Sequence, residues 1–214
     1  MKILVTGFDP FGGETVNPAW EAVSRLPAET GGAEIVKLQV PTMFGRAPEV
    51  VLREVERLRP DFVVSVGQAA GRTAITPERI AINCEEASIP DNAGFQPAGG
   101  PVVEGGPDGY FSLLPVKEMA AAIQAAGLPG KVSNTAGTYV CNHLMYGVLY
   151  HIEREMPGVR GGFIHVPFVP RQVARRGTPA PSLSEQDIAR GIEAALEAIV
   201  THRTDLRTAE GKEH

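Results

Sequence analysis

From Asp61 to Val66 the chain reads DFVVSV, an almost unbroken apolar run without the polar alternation of a half-exposed strand. A run of this kind predicts a central strand covered on both faces, and the cover has to come from helices. Helical spacing does flank it. Ala47 to Leu58 carries apolar residues at helical intervals with charges on the opposite face, and Pro60 stops it. Lys2 to Thr6 is a second buried run, Glu34 to Gln39 alternates like a strand, and helices are expected over Ala19 to about Leu26 and Lys117 to Ala126. Strands alternating with helices predict a layered α/β fold with a largely parallel sheet.

The 214 residues suffice for one well-buried domain, expected over 1–203, with a last helix opened by Ser184 and Asp187 and running to about Val200. Residues 204–214 read as a polar, frayed tail. A net charge of -5 without Lys/Arg clusters argues against nucleic acid or an anionic membrane as partner. The opening MKILVTGFDPFGG has too short an apolar run for a signal peptide, and no later stretch reaches bilayer length. Cys84 and Cys141 stand at no metal-ligand spacing, so reduced thiols, a cytoplasmic location and no metal or cofactor are expected.

The loop GFDPFGGETVNP from Gly7 to Pro18 sits between a strand and a helix, where phosphate cradles occur. It lacks both phosphate-loop spacings, and Asp9 and Glu14 without a cation would repel an anion. Phe8 and Phe11 suit the walls of an apolar pocket for a neutral group, or ordinary core. The loop Gly67 to Arg72 follows the central strand at the sheet's carboxyl edge, where such sheets bind ligands, and offers Gln68 to that crevice or to solvent. Thr76 to Ile82 reads as a strand followed by the turn CEEASIPDN, in which Cys84 is structural. Glu78, Glu85 and Glu86 look equivalent there, each fitting a solvated carboxylate. Gly94 to Pro115 is crowded with Gly and Pro, the composition of a lid, a binding loop or an interface element.

Lys131 to Glu155 concentrates the chemistry. A short strand and a small-residue turn lead to a helix beginning near Asn142, with Met145, Val148, Leu149 and Ile152 as its apolar stripe. Cys141 falls in the first turn, where free backbone N–H groups and the helix dipole favour a thiolate; the alternative is a small buried hydrophobe. Within Gly158 to Pro170, His165 ends another buried strand and faces the same crevice, whereas His143 and His151 lie on the helix and His202 and His214 in the terminal region.

Four blocks together carry a resemblance: GFDPFGGETVNP from Gly7, VGQAAGR with ITPERIAIN from Val66 to Asn83, TAGTYVCNHLMYG from Thr135, and GGFIHVPFVP from Gly161. The chain resembles the type I pyroglutamyl peptidases, cytosolic cysteine exopeptidases that remove an N-terminal pyroglutamate. The resemblance implies a three-layer α/β/α sandwich around a mostly parallel twisted sheet, of phosphorylase- and hydrolase-like kind. It also implies a nucleophile at Cys141, a base at His165 and an acidic third member at Glu78, a choice that the residues alone leave open. By the same resemblance Phe8 and Phe11 sandwich the lactam, main chain near Gln68 binds its amide, the substrates are N-terminally pyroglutamylated peptides, and the protein forms a homodimer or homotetramer. At Ser88 the chain departs from the pattern, which commonly has arginine there, near the nucleophile. A nucleoside phosphorylase-like enzyme and a catalytically impaired pyroglutamyl-binding relative are the alternatives.

Overall fold

A computed structural model describes residues 1–209. In chain order the elements are β1 (Lys2–Phe8), α1 (Pro18–Val23), β2 (Glu29–Thr30), β3 (Ala33–Val40), α2 (Arg46–Leu58), β4 (Phe62–Gln68), β5 (Thr76–Pro77), β6 (Ile80–Ile82), β7 (Gly109–Phe111), α3 (Val116–Ala125), α4 (Val140–Glu155), β8 (Arg160–Val166), α5 (Pro170–Arg176) and α6 (Glu185–Thr201). The main sheet has the order β2-β3-β1-β4-β8-β5. Its β3, β1, β4 and β8 run parallel, and β2 and β5 add antiparallel edges.

Every residue of β4 is buried, as the unalternating run demands. Alternate side chains serve two cores. Ile3, Val5, Val64, Val66, Ile164 and Val166 pack under α1, α3 and α6; Leu4, Val63 and Phe163 pack under α2 and α4. Each such side chain taken out of water contributes about 1.5–3 kcal/mol, so covering both faces is what makes a central parallel strand stable. The result is a three-layer α/β/α sandwich. The face under α2 and α4 matters most for function, because Gly67 and His165 are register partners on it.

Several expectations need correction. Thr76 to Ile82 is not one strand: Pro77 cannot donate to a ladder, and the chain leaves the main sheet at Glu78 to pair β6 with β7 in a separate two-stranded sheet. The strand expected at Lys131 is reduced to isolated bridges, Ile75 with Gly130 and Glu78 with Ser133. Helix α1 stops at Val23 rather than Leu26, and α4 starts at Val140, two residues before Asn142. Helix α5 was not foreseen, although Pro170 at its start and left-handed Gly177 (φ 68°) at its end are ordinary helix punctuation. Within the expected tail, Asp205 is anchored to the fold. Asp205 Oδ1 accepts the N–H groups of Lys117 (2.9 Å) and Glu118 (3.1 Å), capping α3, whose own Pro115 supplies no capping side chain. The rest of the expected tail, 210–214, lies outside the described residues. No helix among the described residues is long and apolar enough to cross a membrane.

Candidate active site

Cys141 is the second residue of α4. Tyr139, at the N-cap, offers no capping side chain, so the first N–H groups of this 16-residue helix are not consumed by one. What fixes the helix start is Asn142, fully buried: its Oδ1 accepts from Ile82 N–H (2.9 Å), and its Nδ2 donates to the carbonyls of Ile82 (2.9 Å) and Cys84 (3.0 Å). The sulfur sits against β4. A Cβ at Gly67 would come within 2.8 Å of Cys141 Sγ and 2.8 Å of the Phe163 ring, so only glycine leaves the thiol its place.

Edge strand β5 assembles the other half. Thr76 pairs with His165 across the β5–β8 ladder, and Glu78 N–H donates to Phe163 C=O (2.9 Å). That register points Glu78 at His165, and Oε1 lies 2.7 Å from Nδ1 in a buried pair. The same oxygen takes Arg72 Nη2 at 2.9 Å. With Nδ1–H donated to the carboxylate, the lone pair of His165 is on Nε2, which makes no hydrogen bond among the described residues. Ser133 N–H donates to Pro77 C=O (2.9 Å) and Arg79 N–H to Ser133 C=O (2.8 Å), so the strand that delivers Glu78 also holds the turn leading to Cys141.

Burial pushes the Cys141 thiol up to about 12; the Glu78 carboxylate pushes the same way, and Arg72 and the thiol's own backbone N–H pull back only in part. Cys141 as a residue is half-buried, but its sulfur is packed against Gly67 and Phe163, which is why desolvation leads. Burial thus opposes the thiolate that the helix start was expected to favour.

Beside the site lies a cleft of about 550 Å³ walled by Phe11, Ala70, Glu86, Ser88, Ile89 and Tyr139. Phe11 and Tyr139 face each other with ring centroids 6.0 Å apart. Phe8 is not at this cleft: it is 2% exposed and packs on Phe163, whose ring in turn lies 4.8 Å from that of His165. The Gln68 side chain is spoken for, its Oε1 accepting from Gln172 Nε2 (2.9 Å), and its backbone continues β4 beside Val166. Ser88 is exposed on the cleft wall. Asp9, which weighed against a phosphate cradle, pins the loop instead: its Oδ1 accepts Thr42 N–H (2.7 Å) and Asn92 Nδ2 (3.1 Å). The Gly- and Pro-rich stretch doubles back along the cleft's outer wall, Glu85 N–H meeting Gly100 C=O and Ala87 N–H meeting Pro97 C=O, each at 2.9 Å. An apolar cavity of about 190 Å³ by Tyr110 and Leu113 meets none of Cys141, His165 and Glu78.

Glu78, Cys141 and His165 thus come together at the β4–β8 edge, and Phe11 lines the neighbouring cleft, which reaches them through Thr138 and Tyr139 just before Cys141. Glu85 and Glu86 part from Glu78: Glu85 pairs with His143 and Glu86 is exposed on the cleft wall. Arg72, Gly67, Asn142 and Gln172 were not singled out from the sequence. Only Gly67, a glycine at the end of a central strand, carried a local signal. The described residues contain no cluster of His, Cys, Asp and Glu able to hold a metal.

Comparison with known proteins agrees along the whole chain. The family model for pyroglutamyl peptidase matches residues 1–202. A pyrrolidone-carboxylate peptidase of Lactobacillus johnsonii is 55% identical over the full length of both chains, and one of Levilactobacillus brevis is 58% identical over 96% of this chain and all of its own. Among solved structures, pyroglutamyl peptidase I from Bacillus amyloliquefaciens superposes with a TM-score of 0.94 at 49% identity, covering 97% of this chain and 99% of that one. A mutant pyrrolidone carboxyl peptidase from Pyrococcus furiosus gives 0.89 at 39%, covering 94% and 98%. The phosphorylase-like and impaired-relative alternatives find no support in these matches.

Proposed function

The chain belongs to the pyroglutamyl peptidase family and is a cysteine-type hydrolase that removes N-terminal pyroglutamate; we propose that Cys141 is its nucleophile, His165 its base and acid, and Glu78 the carboxylate that orients His165. The observation carrying this reading is the buried 2.7 Å contact of His165 Nδ1 with Glu78, which leaves Nε2 for the thiol packed on Gly67, the register partner of His165. Among the described residues Sγ and Nε2 share no hydrogen bond, and the reading requires the contact to form in the substrate complex.

Since burial disfavours a free thiolate at Cys141, attack in this reading is coupled to proton transfer. Sγ bonds to the pyroglutamyl carbonyl carbon while its proton passes to His165 Nε2, and Glu78 stabilises the imidazolium that forms. The oxyanion falls to the N–H groups at the uncapped start of α4, each donor worth about 2.7–4 kcal/mol in such a site. Collapse breaks the C–N bond, and Nε2 gives its proton to the departing amine. Water then attacks the thioester, losing a proton to Nε2, which returns it to the sulfur as pyroglutamate leaves.

The cleft suits the substrate. Phe11 and Tyr139 offer aromatic faces to a flat neutral lactam, Phe8 packs on Phe163 beside His165, and main chain near Gln68 meets the ring amide. An open-chain N-terminal glutamate would bring an ammonium and a carboxylate with nothing to pair them. We carry a cytoplasmic location and a homodimer or homotetramer as part of this reading; two free cysteines support the first, and exposed Phe111 and Leu113 the second.

The test is release of a chromogenic amine from a pyroglutamyl substrate in phosphate-free buffer. Turnover is expected in the wild type, none in Cys141→Ala with the fold intact, and none with the glutamyl analogue. Undiminished turnover in Cys141→Ala, or comparable cleavage of the glutamyl amide, sinks the assignment.

A further inference from the structure

A triad of this kind contains a conflict. The carboxylate that steadies an imidazolium also repels the thiolate the same reaction must form, and here Glu78 does both, being one of the groups that hold the Cys141 thiol up. Glu78 is itself fully buried, and its Oε2 has no partner among the described residues. A buried carboxylate satisfied on one oxygen only is free to rotate away from His165 unless something else holds it.

Arg72 supplies that hold. Its guanidinium donates from Nη2 to Glu78 Oε1 (2.9 Å) and to Thr135 C=O (3.2 Å), and from Nη1 to Thr76 Oγ1 (2.8 Å). Thr76 Oγ1 in turn donates to His165 C=O at 3.3 Å. One planar fork therefore joins edge strand β5, the catalytic carboxylate and the turn that delivers Cys141, a geometry a lysine ammonium cannot reproduce. Arg72 remains 23% exposed in its side chain, so it charges the site without being buried in it.

We propose that Arg72 is a positioning residue of this active site: it locks Glu78 Oε1 against His165 Nδ1 and supplies the positive charge that offsets Glu78 at the Cys141 sulfur. The inference rests on the assignment of Cys141, His165 and Glu78 above. The titratable and charged groups around the sulfur are Glu78 and Arg72 from the segment around β5 and Tyr139 from the turn before α4, with His165 on β8 as the register partner of Gly67; His143 with Glu85 follows further along α4. Arg72 is the one fixed cation of this set.

The experiment compares wild type, Arg72→Gln and Arg72→Lys, each in a Cys84→Ala background so that iodoacetamide reports on Cys141 alone, with His165→Ala alongside. In Arg72→Gln the alkylation rate should fall at every pH between about 7 and 10, displacing the profile to the alkaline side, because the thiolate loses its counter-charge. Its kcat should fall about tenfold or more with KM changed less than about twofold, since the fork acts on the carboxylate and not on the lactam. Arg72→Lys should restore most of the alkylation profile but not kcat, having the charge without the fork. If Arg72→Gln keeps the wild-type profile, or loses KM and kcat together, Arg72 only braces the fold and the proposal is overturned. His165→Ala separates the levels. If it is inactive while Arg72→Gln behaves as wild type, this inference alone fails; if it turns over normally, the triad reading and this inference fail together.

Discussion

Two histidines meet glutamates at almost the same distance in this protein. His165 Nδ1 lies 2.7 Å from Glu78, and His143 Nδ1 lies 2.8 Å from Glu85. Both histidines are largely buried, and His143 is only two residues beyond Cys141. The pairs differ in what lies beyond the contact. His143 Nε2 accepts the N–H of Gly45 (3.1 Å), so both of its nitrogens are engaged in holding the start of α2 to α4. His165 Nε2 has no such bond among the described residues, and Arg72 Nη2 meets its carboxylate partner at 2.9 Å. On the proposed assignment, a histidine–carboxylate pair is only half of a catalytic device: the other half is an imidazole nitrogen left for the nucleophile, which a structural pair spends on the backbone.

The largest test of this distinction is paired mutation. Glu78→Gln and His165→Ala should each lower kcat by about 10³–10⁴-fold, since an amide at 78 can donate to Nδ1 and fix the wrong tautomer. Glu85→Gln and His143→Gln should leave kcat within about threefold, because neither touches the reacting atoms. Steady-state kinetics on the four purified variants decides it. Comparable losses in both pairs would show that the free nitrogen does not distinguish them.

The two pairs also show what a sequence can and cannot reveal. Cys141 and its helix were legible because their signals are local: a cysteine, a small-residue turn and an apolar stripe that the structure buries at Met145, Val148, Leu149 and Ile152. The central strand was legible for the same reason. Glu78, Glu85 and Glu86 were not separable, since their roles are set by register. One carboxylate lands opposite His165 because Thr76 pairs with it across the sheet, another meets a helix, and the third faces solvent. Resemblance to a family named Glu78, which no spacing in the chain could have done. Arg72 was hidden likewise, because its fork closes only when β5 and the Thr135 turn come together.

Gly67 sharpens the comparison at intermediate scale, because it makes room for the thiol beside His165 and nothing comparable serves His143. In Gly67→Ala the new methyl would stand 2.8 Å from Cys141 Sγ and 2.8 Å from the Phe163 ring, with a strand on one side and a helix start on the other. Overpacking of this kind costs about 1–3 kcal/mol of stability. Displacing the sulfur by a fraction of an ångström should cost more in chemistry, about 10–100-fold in kcat. Thermal melts and kcat measured on one preparation check both, and an unchanged kcat would mean that the thiol does not react from its place on Gly67.

The smallest effect concerns His143 and pH, and its sign is not the one the Glu85 contact suggests. A histidine beside a carboxylate commonly titrates higher, but burial here holds His143 below its ordinary value of 6.5, with the Glu85 charge and hydrogen bond opposing without prevailing. Gly45 N–H supplies a structural reason, since a proton on Nε2 would set donor against donor. Below about pH 6.5 the unfolded chain therefore binds a proton that the folded chain refuses. Stability due to neutral His143 is complete above that pH and is lost as pH falls toward the lower folded value. In His143→Gln the amide oxygen can still accept from Gly45, and nothing at that position titrates. Wild type should thus be the more stable near neutrality by about 1 kcal/mol, the worth of a well-placed hydrogen bond, with its advantage shrinking toward pH 5. Urea unfolding of the two proteins across that range isolates the titration of the His143–Glu85 pair, because carboxylates away from it titrate alike in both and cancel in the difference. An advantage that grows on acidification would mean that His143 takes up its proton and pairs with Glu85 as an ion, which would make the two histidine–glutamate pairs alike after all.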